Sequence, residues 1–307
     1  MISHGDVLDA RDRISAHIRR TPLLPGGTGV DAWFKCEFMQ HTGVFKARGA
    51  FNRLLSASDR GELDPRIGIV VASGGNAGLA NAYAASQLGI PATVFVPSTA
   101  PEVKVSRLMA YGATVHRVGL EYADAYAAAT QDAVERGAVF CHAYDQPEIA
   151  AGAGTLALEI LEDVPDIDTI VVAVGGGGLF AGVAAAVEGR VRVVATEPES
   201  IPTLHAALAA GHAVDVPVSG VAADSLGARR VGDIALSVAQ RTHPTAVLVT
   251  DAAIVEARSR LWSEFRIPAE HGAATAYAAL TSGAYVPAAD EKVAVVICGA
   301  NTDASTL

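Results

Sequence analysis

The sequence predicts an α/β protein built from two open, mainly parallel sheets covered by helices, with a cleft between them. Three observations predict it. Short β-branched runs alternate with alanine-rich helical stretches over most of the chain. The runs near 67–72 and 292–298 are almost wholly apolar, as strands buried on both faces are. The alternation comes in two series, one on each side of a helical stretch at 146–163, which implies two sheet units.

In order, 67–72 reads as a buried strand and 76–88 as the helix that follows it. Residues 92–96 form the next strand, stopped by Pro97, and 101–111 the next helix, opening on a proline. The pattern repeats at 113–118 and 121–136. The second series runs strand 169–174, helix 178–188 and strand 191–196, and 292–298 is a late buried strand. The expected division is a larger, discontinuous unit, 1–40 and 143–307, into which a smaller unit, 41–142, is inserted.

Composition narrows the function. With 50% apolar and 18% charged residues, the chain is globular rather than disordered. A net charge of −10 argues against nucleic acid and anionic membrane surfaces as partners. No apolar run approaches the roughly 20 residues of a bilayer span. Three dispersed cysteines, Cys36, Cys141 and Cys298, make neither a disulfide framework nor a zinc site. A cytoplasmic enzyme is expected.

Three segments carry chemistry. The first runs from Thr42 to Ala50 and sets Lys46 behind Phe45, among small residues at the start of a helix. Desolvation there would lower the lysine pKa and free its amine to form an imine. A lone lysine on a helix is ordinarily solvated, so this segment says little by itself.

The second, Val71 to Gly78, includes Ser73, Gly74, Gly75 and Asn76 where a strand ends and a helix begins. Glycines let backbone approach a ligand closely, and amides at a helix start attract a carboxylate or phosphate. The third is the run Gly175, Gly176, Gly177 and Gly178, again between strand and helix. As a bare turn it would waste conformational entropy; as a nest of N–H groups around a phosphate it would not.

A rival reading exists for the third segment. Gly176, Gly178 and Ala181 satisfy a loose dinucleotide fingerprint, with Glu197 near the place of a ribose-binding acid. That reading, an NAD(P)-dependent oxidoreductase, leaves Lys46 and Asn76 unexplained.

In their order, these motifs, with the late stretch from Val295 to Asn301, resemble the fold-type II pyridoxal-phosphate enzymes of the serine/threonine dehydratase and serine racemase family, from about Arg20 onward. The resemblance implies a tryptophan synthase β-like fold with the cofactor in the cleft between two domains. It implies that Lys46 is the Schiff-base lysine, that Phe45 packs near the cofactor, and that Asn76 bonds the cofactor's phenolic oxygen. Gly175, Gly176, Gly177 and Gly178 would be the phosphate loop, and Ser73 to Asn76 the grip on the substrate carboxylate. Cys298 would face the pyridine nitrogen, and Ser225 the ring face. A neutral thiol cannot keep that nitrogen protonated as a carboxylate would, which favours prompt β-elimination.

Some positions depart from the family pattern. Val44 replaces a serine, and Gly74 stands where serine racemases carry an acid/base serine. Ala77 replaces a common histidine. Glu197 matches the first acidic ligand of the family's cation site, but Thr203 stands in place of the next. Glu270 matches an acidic residue near the cofactor cleft. His41, His271, Trp33 and Trp262 read as packing or surface residues.

The expected activity is a pyridoxal-phosphate-dependent ammonia-lyase. It would convert L-threonine or L-serine to 2-oxobutyrate or pyruvate plus ammonia, with serine racemisation or dehydration of another hydroxy-amino acid as the alternative. A homodimer is expected, and no regulatory domain is expected beyond the Cys298 strand.

Overall fold

The computed structural model describes residues 1–26 and 32–307. Residues 27–31, within the 1–40 segment expected in the larger unit, lie outside that description.

Ten strands among the described residues form two sheets. In chain order they are β1 (Leu23–Pro25), β2 (Ala32–Lys35), β3 (Ile69–Ala72), β4 (Ala92–Val96), β5 (Thr114–Arg117), β6 (Val139–Cys141), β7 (Thr169–Ala173), β8 (Arg192–Pro198), β9 (Thr245–Val249) and β10 (Val293–Val296). The larger sheet has the order β1-β2-β10-β7-β8-β9 and is parallel except where β1 meets β2. The smaller, β5-β4-β3-β6, is parallel throughout.

Twelve α-helices complete the described chain. They are α1 (His4–Ile14), α2 (Lys46–Asp59), α3 (Asn76–Leu88), α4 (Glu102–Ala110), α5 (Tyr122–Arg136), α6 (Pro147–Asp163), α7 (Gly178–Val187), α8 (Thr203–Ala210), α9 (Ala223–Leu226), α10 (Asp233–Thr242), α11 (Asp251–Phe265) and α12 (His271–Thr281). Every element expected in the two series is present, with small shifts of boundary. The strand expected from 67 begins at Ile69, because Gly68 takes φ +81° and turns the chain before pairing starts. Pro101 caps α4 from outside. The strands β1, β2, β6 and β9 have no counterpart in the sequence reading; three or four residues are too few to show a period in β1, β2 and β6.

The strands β3, β4, β7 and β10 are buried along their whole length, as their unbroken apolar runs require. Helices α6 and α7 cross the cores at close range. A Cβ on Gly154 would fall 2.4 Å from the carbonyl oxygen of Gly182, so only glycine allows that approach.

A buried charge cluster ties α2 to α6 and to the end of β2. Arg48 binds both oxygens of Glu37 at 2.8 Å and reaches Glu159 at 2.7 and 2.9 Å. Lys35 binds Glu159 at 2.5 Å. Arg48, Lys35 and Glu37 have no solvent exposure, so these charges depend on one another. Arg48 lies two residues beyond Lys46, and the cluster therefore anchors the first turn of α2.

Candidate active site

The strand β10 ends at Val296, and the chain beyond it meets the entrance to α2. Phe45 N–H donates to the Cys298 carbonyl at 3.0 Å, and Ala300 N–H donates to the Gly43 carbonyl at 2.9 Å. Thr42 and Gly43 both take positive φ, +61° and +74°, and turn the chain into the helix. The Asn301 amide donates to the Thr42 carbonyl at 2.9 Å and holds that bend. Residues more than 250 positions apart thereby place Lys46 beside Cys298.

The Lys46 amine lies inside the cleft, 4.8 Å from the Phe45 ring centroid, and donates to the Ala143 carbonyl at 3.2 Å. Loss of hydration lowers its pKa; Cys298 and Glu270, the acidic groups nearby, oppose that only in part. Burial pushes the Cys298 thiol far above its ordinary range, with Glu270 adding to the effect, so the thiol is neutral.

Asn76 opens α3 and is held on both sides. Its Nδ2 donates to the two carboxylate oxygens of Glu270, and its Oδ1 accepts from Asn301 at 2.7 Å. The bond from Asn301 fixes which end of the amide is the donor. Glu270, buried at 7% exposure, has its pKa raised to about 7, chiefly by desolvation. Ser73 Oγ accepts from the Gly75 amide at 3.3 Å, which shapes the turn before α3.

The run from Gly175 to Gly178 leads into α7. Its carbonyl side is tied down: Gly175 O accepts from Thr203 Oγ1 at 2.6 Å, Gly176 O from Gly232 N–H at 3.0 Å, and Gly177 O from Ala181 N–H at 2.8 Å. The first amides of a helix have no intrahelical partner, so the N–H side of this loop is a receptor for an anion. Side chains are excluded here. A Cβ on Gly176 would fall 2.3 Å from the Tyr144 ring, and one on Gly178 would fall 2.7 Å from the Tyr144 carbonyl oxygen.

Ser225, in α9, accepts from the Gly272 amide at 3.0 Å and so packs against the start of α12. His41 stacks on Tyr83 and shares a 3.0 Å hydrogen bond with its hydroxyl. Trp262 is a surface residue with Arg266 over its ring.

A cation at Glu197 does not fit. Its carboxylate accepts from the amides of Leu204 and His205 at 2.7 and 2.8 Å and from the Thr203 hydroxyl at 3.0 Å. Both oxygens are thus taken by the start of α8. Among the described residues no group of three or more metal-ligating side chains gathers there or elsewhere. The same burial removes Glu197 as a ribose ligand, which disposes of the dinucleotide reading of the glycine loop.

Pyridoxal phosphate does fit. The glycine cradle, the buried amine with its lowered pKa and the oriented Asn76 amide each have the chemistry their counterpart on the cofactor needs. Sequence reading missed His142, Ala143, Tyr144 and Asn301 as parts of this site. A backbone carbonyl and a ring filling space beside glycine leave no motif, although Asn301 lay within the late stretch that the motif included.

Comparison with known proteins gives the same picture. The chain matches the pyridoxal-phosphate dependent enzyme family over residues 14–299. It is 36% identical over 315 residues to an L-threonine ammonia-lyase of Geobacter sulfurreducens, covering 100% of this chain and 77% of that one. It is 32% identical over 326 residues to a serine racemase of Oryza sativa subsp. indica, covering 99% of this chain and 94% of that one. Among solved structures, maize serine racemase superimposes with a TM-score of 0.92 at 31% identity, covering 99% of this chain and 95% of the other.

Proposed function

This chain belongs to the pyridoxal-phosphate dependent enzyme family, and from that premise we propose that it is an ammonia-lyase acting on L-threonine, L-serine or both. The products would be 2-oxobutyrate or pyruvate and ammonia. The observation that carries the reading is that Lys46 and Gly178 of the glycine loop line one cavity, with Asn76 bonded to Glu270, a carboxyl near enough to act on the Lys46 amine.

In this reading Lys46 would hold the cofactor through its amine, with Phe45 packed beside the ring and Asn76 bonded to the ring oxygen. Gly175, Gly176, Gly177 and Gly178 would take the phosphate, and Cys298 would face the ring nitrogen. When bound, the cofactor supplies an electron sink that acidifies the substrate Cα–H bond. Desolvation lowers the pKa of the Lys46 amine, which would be the base that receives that proton. Ser73, Gly74, Gly75 and Asn76 would grip the substrate carboxylate at the start of α3. Gly74 offers no hydroxyl to return a proton from the opposite face, which favours elimination over racemisation.

The two sheets draw on segments compatible with units of 41–142 and of 1–40 with 143–307. The reading includes a cytoplasmic homodimer acting on small amino acids. No helix among the described residues is long and apolar enough to cross a membrane.

Borohydride reduction of the purified protein should fix the cofactor to a peptide containing Lys46. Lys46→Ala should abolish ammonia release while leaving the protein folded. Label on another lysine, or turnover by the variant, would overturn the assignment.

A further inference from the structure

The glycine loop and Lys46 both touch one short turn, residues 142–146, which joins β6 to α6. His142 organises it. The ring Nδ1 accepts from the backbone N–H groups of Tyr144, at 3.2 Å, and Asp145, at 2.9 Å. Two donors aimed at one ring nitrogen require a lone pair there, so in the neutral ring the proton sits on Nε2. The imidazole is wedged edge-on between Tyr144, with ring centroids 4.7 Å apart, and Tyr126 of α5, at 5.8 Å.

The turn serves the site in three ways. The Ala143 carbonyl is the hydrogen-bond partner of the Lys46 amine. The Tyr144 ring and carbonyl fill the space beside Gly176 and Gly178. The Asp145 carboxylate accepts from the amides of Asp233 and Ile234, both at 3.1 Å, and so ties the turn to the start of α10. One imidazole nitrogen therefore underlies the setting of the reactive amine and of the anion cradle.

We propose that His142 is a positioning residue whose unprotonated Nδ1 holds the 142–145 turn, and that protonating it disorganises the Lys46 contact and the glycine loop together. The inference rests on the reading that these two features hold the cofactor. The charged and titratable groups facing the ring are Asp145 in its own turn, Lys46 from α2, and the Tyr126 and Tyr144 hydroxyls. Burial is the main influence on the ring and lowers its pKa from the ordinary 6.5; Asp145 opposes this and Lys46 reinforces it. Neutral pH therefore keeps Nδ1 available, and acid removes it.

The test compares wild-type holoenzyme with H142N and H142L, following cofactor absorbance after dialysis over a range of acid pH, and KM and kcat at neutral pH. An asparagine oxygen can stand in for Nδ1 as an acceptor and does not titrate. Expected are acid-induced cofactor loss in wild type, displacement of that loss by about one pH unit toward acid in H142N, and roughly tenfold weaker cofactor binding in H142L at every pH. Coincident acid curves for H142N and wild type would overturn the proposal, as would wild-type cofactor affinity in H142L. Nitrogen-detected NMR of the wild type gives a further measure that needs no variant to fold. A proton on Nδ1 of His142 at neutral pH would also overturn it. Borohydride labelling of Lys46 is independent of His142, so failure of the underlying cofactor reading would be seen separately.

Discussion

The Asn76 side-chain amide donates to both carboxylate oxygens of Glu270, at 2.9 and 3.0 Å. Glu270 pays for this position in hydration: burial raises its pKa from 4.5 to about 7, although the Asn76 bonds and the nearby Lys46 pull it down. The pair joins the start of α3 to the start of α12, so a charge that is costly to bury also orients the amide over the cleft.

A carboxyl whose folded pKa is raised stabilises the fold fully below its unfolded pKa, and that contribution is lost as pH rises through the folded value. The window for Glu270 therefore runs from about 4.5 to about 7. Above it the ionised group costs the folded state up to about 3 kcal/mol. Glu270→Gln should be more stable than wild type at alkaline pH and indistinguishable from it in acid. Denaturant unfolding on both sides of the window checks this; an equal difference at both pH values would exclude Glu270 as the titrating group.

Replacing Arg48 leaves Glu37 and Glu159 buried with only Lys35 to balance them. Arg48→Met should lower unfolding stability by about 3–5 kcal/mol and loosen the start of α2. A loss under about 1 kcal/mol would mean that the cluster relaxes by admitting water.

Asn81 is 2% exposed and spends its Nδ2 on the Ala77 carbonyl, while its Oδ1 is buried without a hydrogen-bond partner. It lines the small cavity beside Lys46 and His142. Asn81→Leu removes the unsatisfied oxygen, keeps the branched shape and improves helix propensity, its larger methyls filling the adjoining cavity. It should raise stability by about 1 kcal/mol, read as a higher midpoint in thermal unfolding. A lower midpoint would show that the oxygen is satisfied in solution, by water or by the Lys46 amine.

Gly74→Ser tests why this site should eliminate rather than racemise. A Cβ at Gly74 falls 3.3 Å from Val96 Cγ1, so the serine fits only if Val96 gives by a few tenths of an ångström. In the proposed reading the added hydroxyl would return a proton to Cα from the face opposite Lys46, which requires a reach of roughly 3 Å. The ratio of D-serine to pyruvate formed from L-serine should rise several-fold. No change in the ratio, with the variant folded and active, would place the second proton donor elsewhere.

Much of this protein was legible in its residues alone. The unbroken apolar strands, the helices beginning at Lys46, Asn76 and Gly178, and the glycine run are local signals, because burial on both faces and close backbone approach each demand particular residue types at particular spacings. Three motifs and the late stretch from Val295 to Asn301, in one order, pointed to the family. Tertiary structure alone decided what those motifs meet. The pairing of residues 43–45 with 298–300 sets Lys46 against Cys298, and the turn at His142 supplies the carbonyl for that lysine. Glu197, which in sequence matched a cation ligand, turns its carboxylate to the amides of α8 instead. Such contacts are backbone bonds and ring packing between segments far apart in the chain. They leave no periodicity and no spacing to read, since any residue has an amide and a carbonyl, and only the folded chain determines which of them converge.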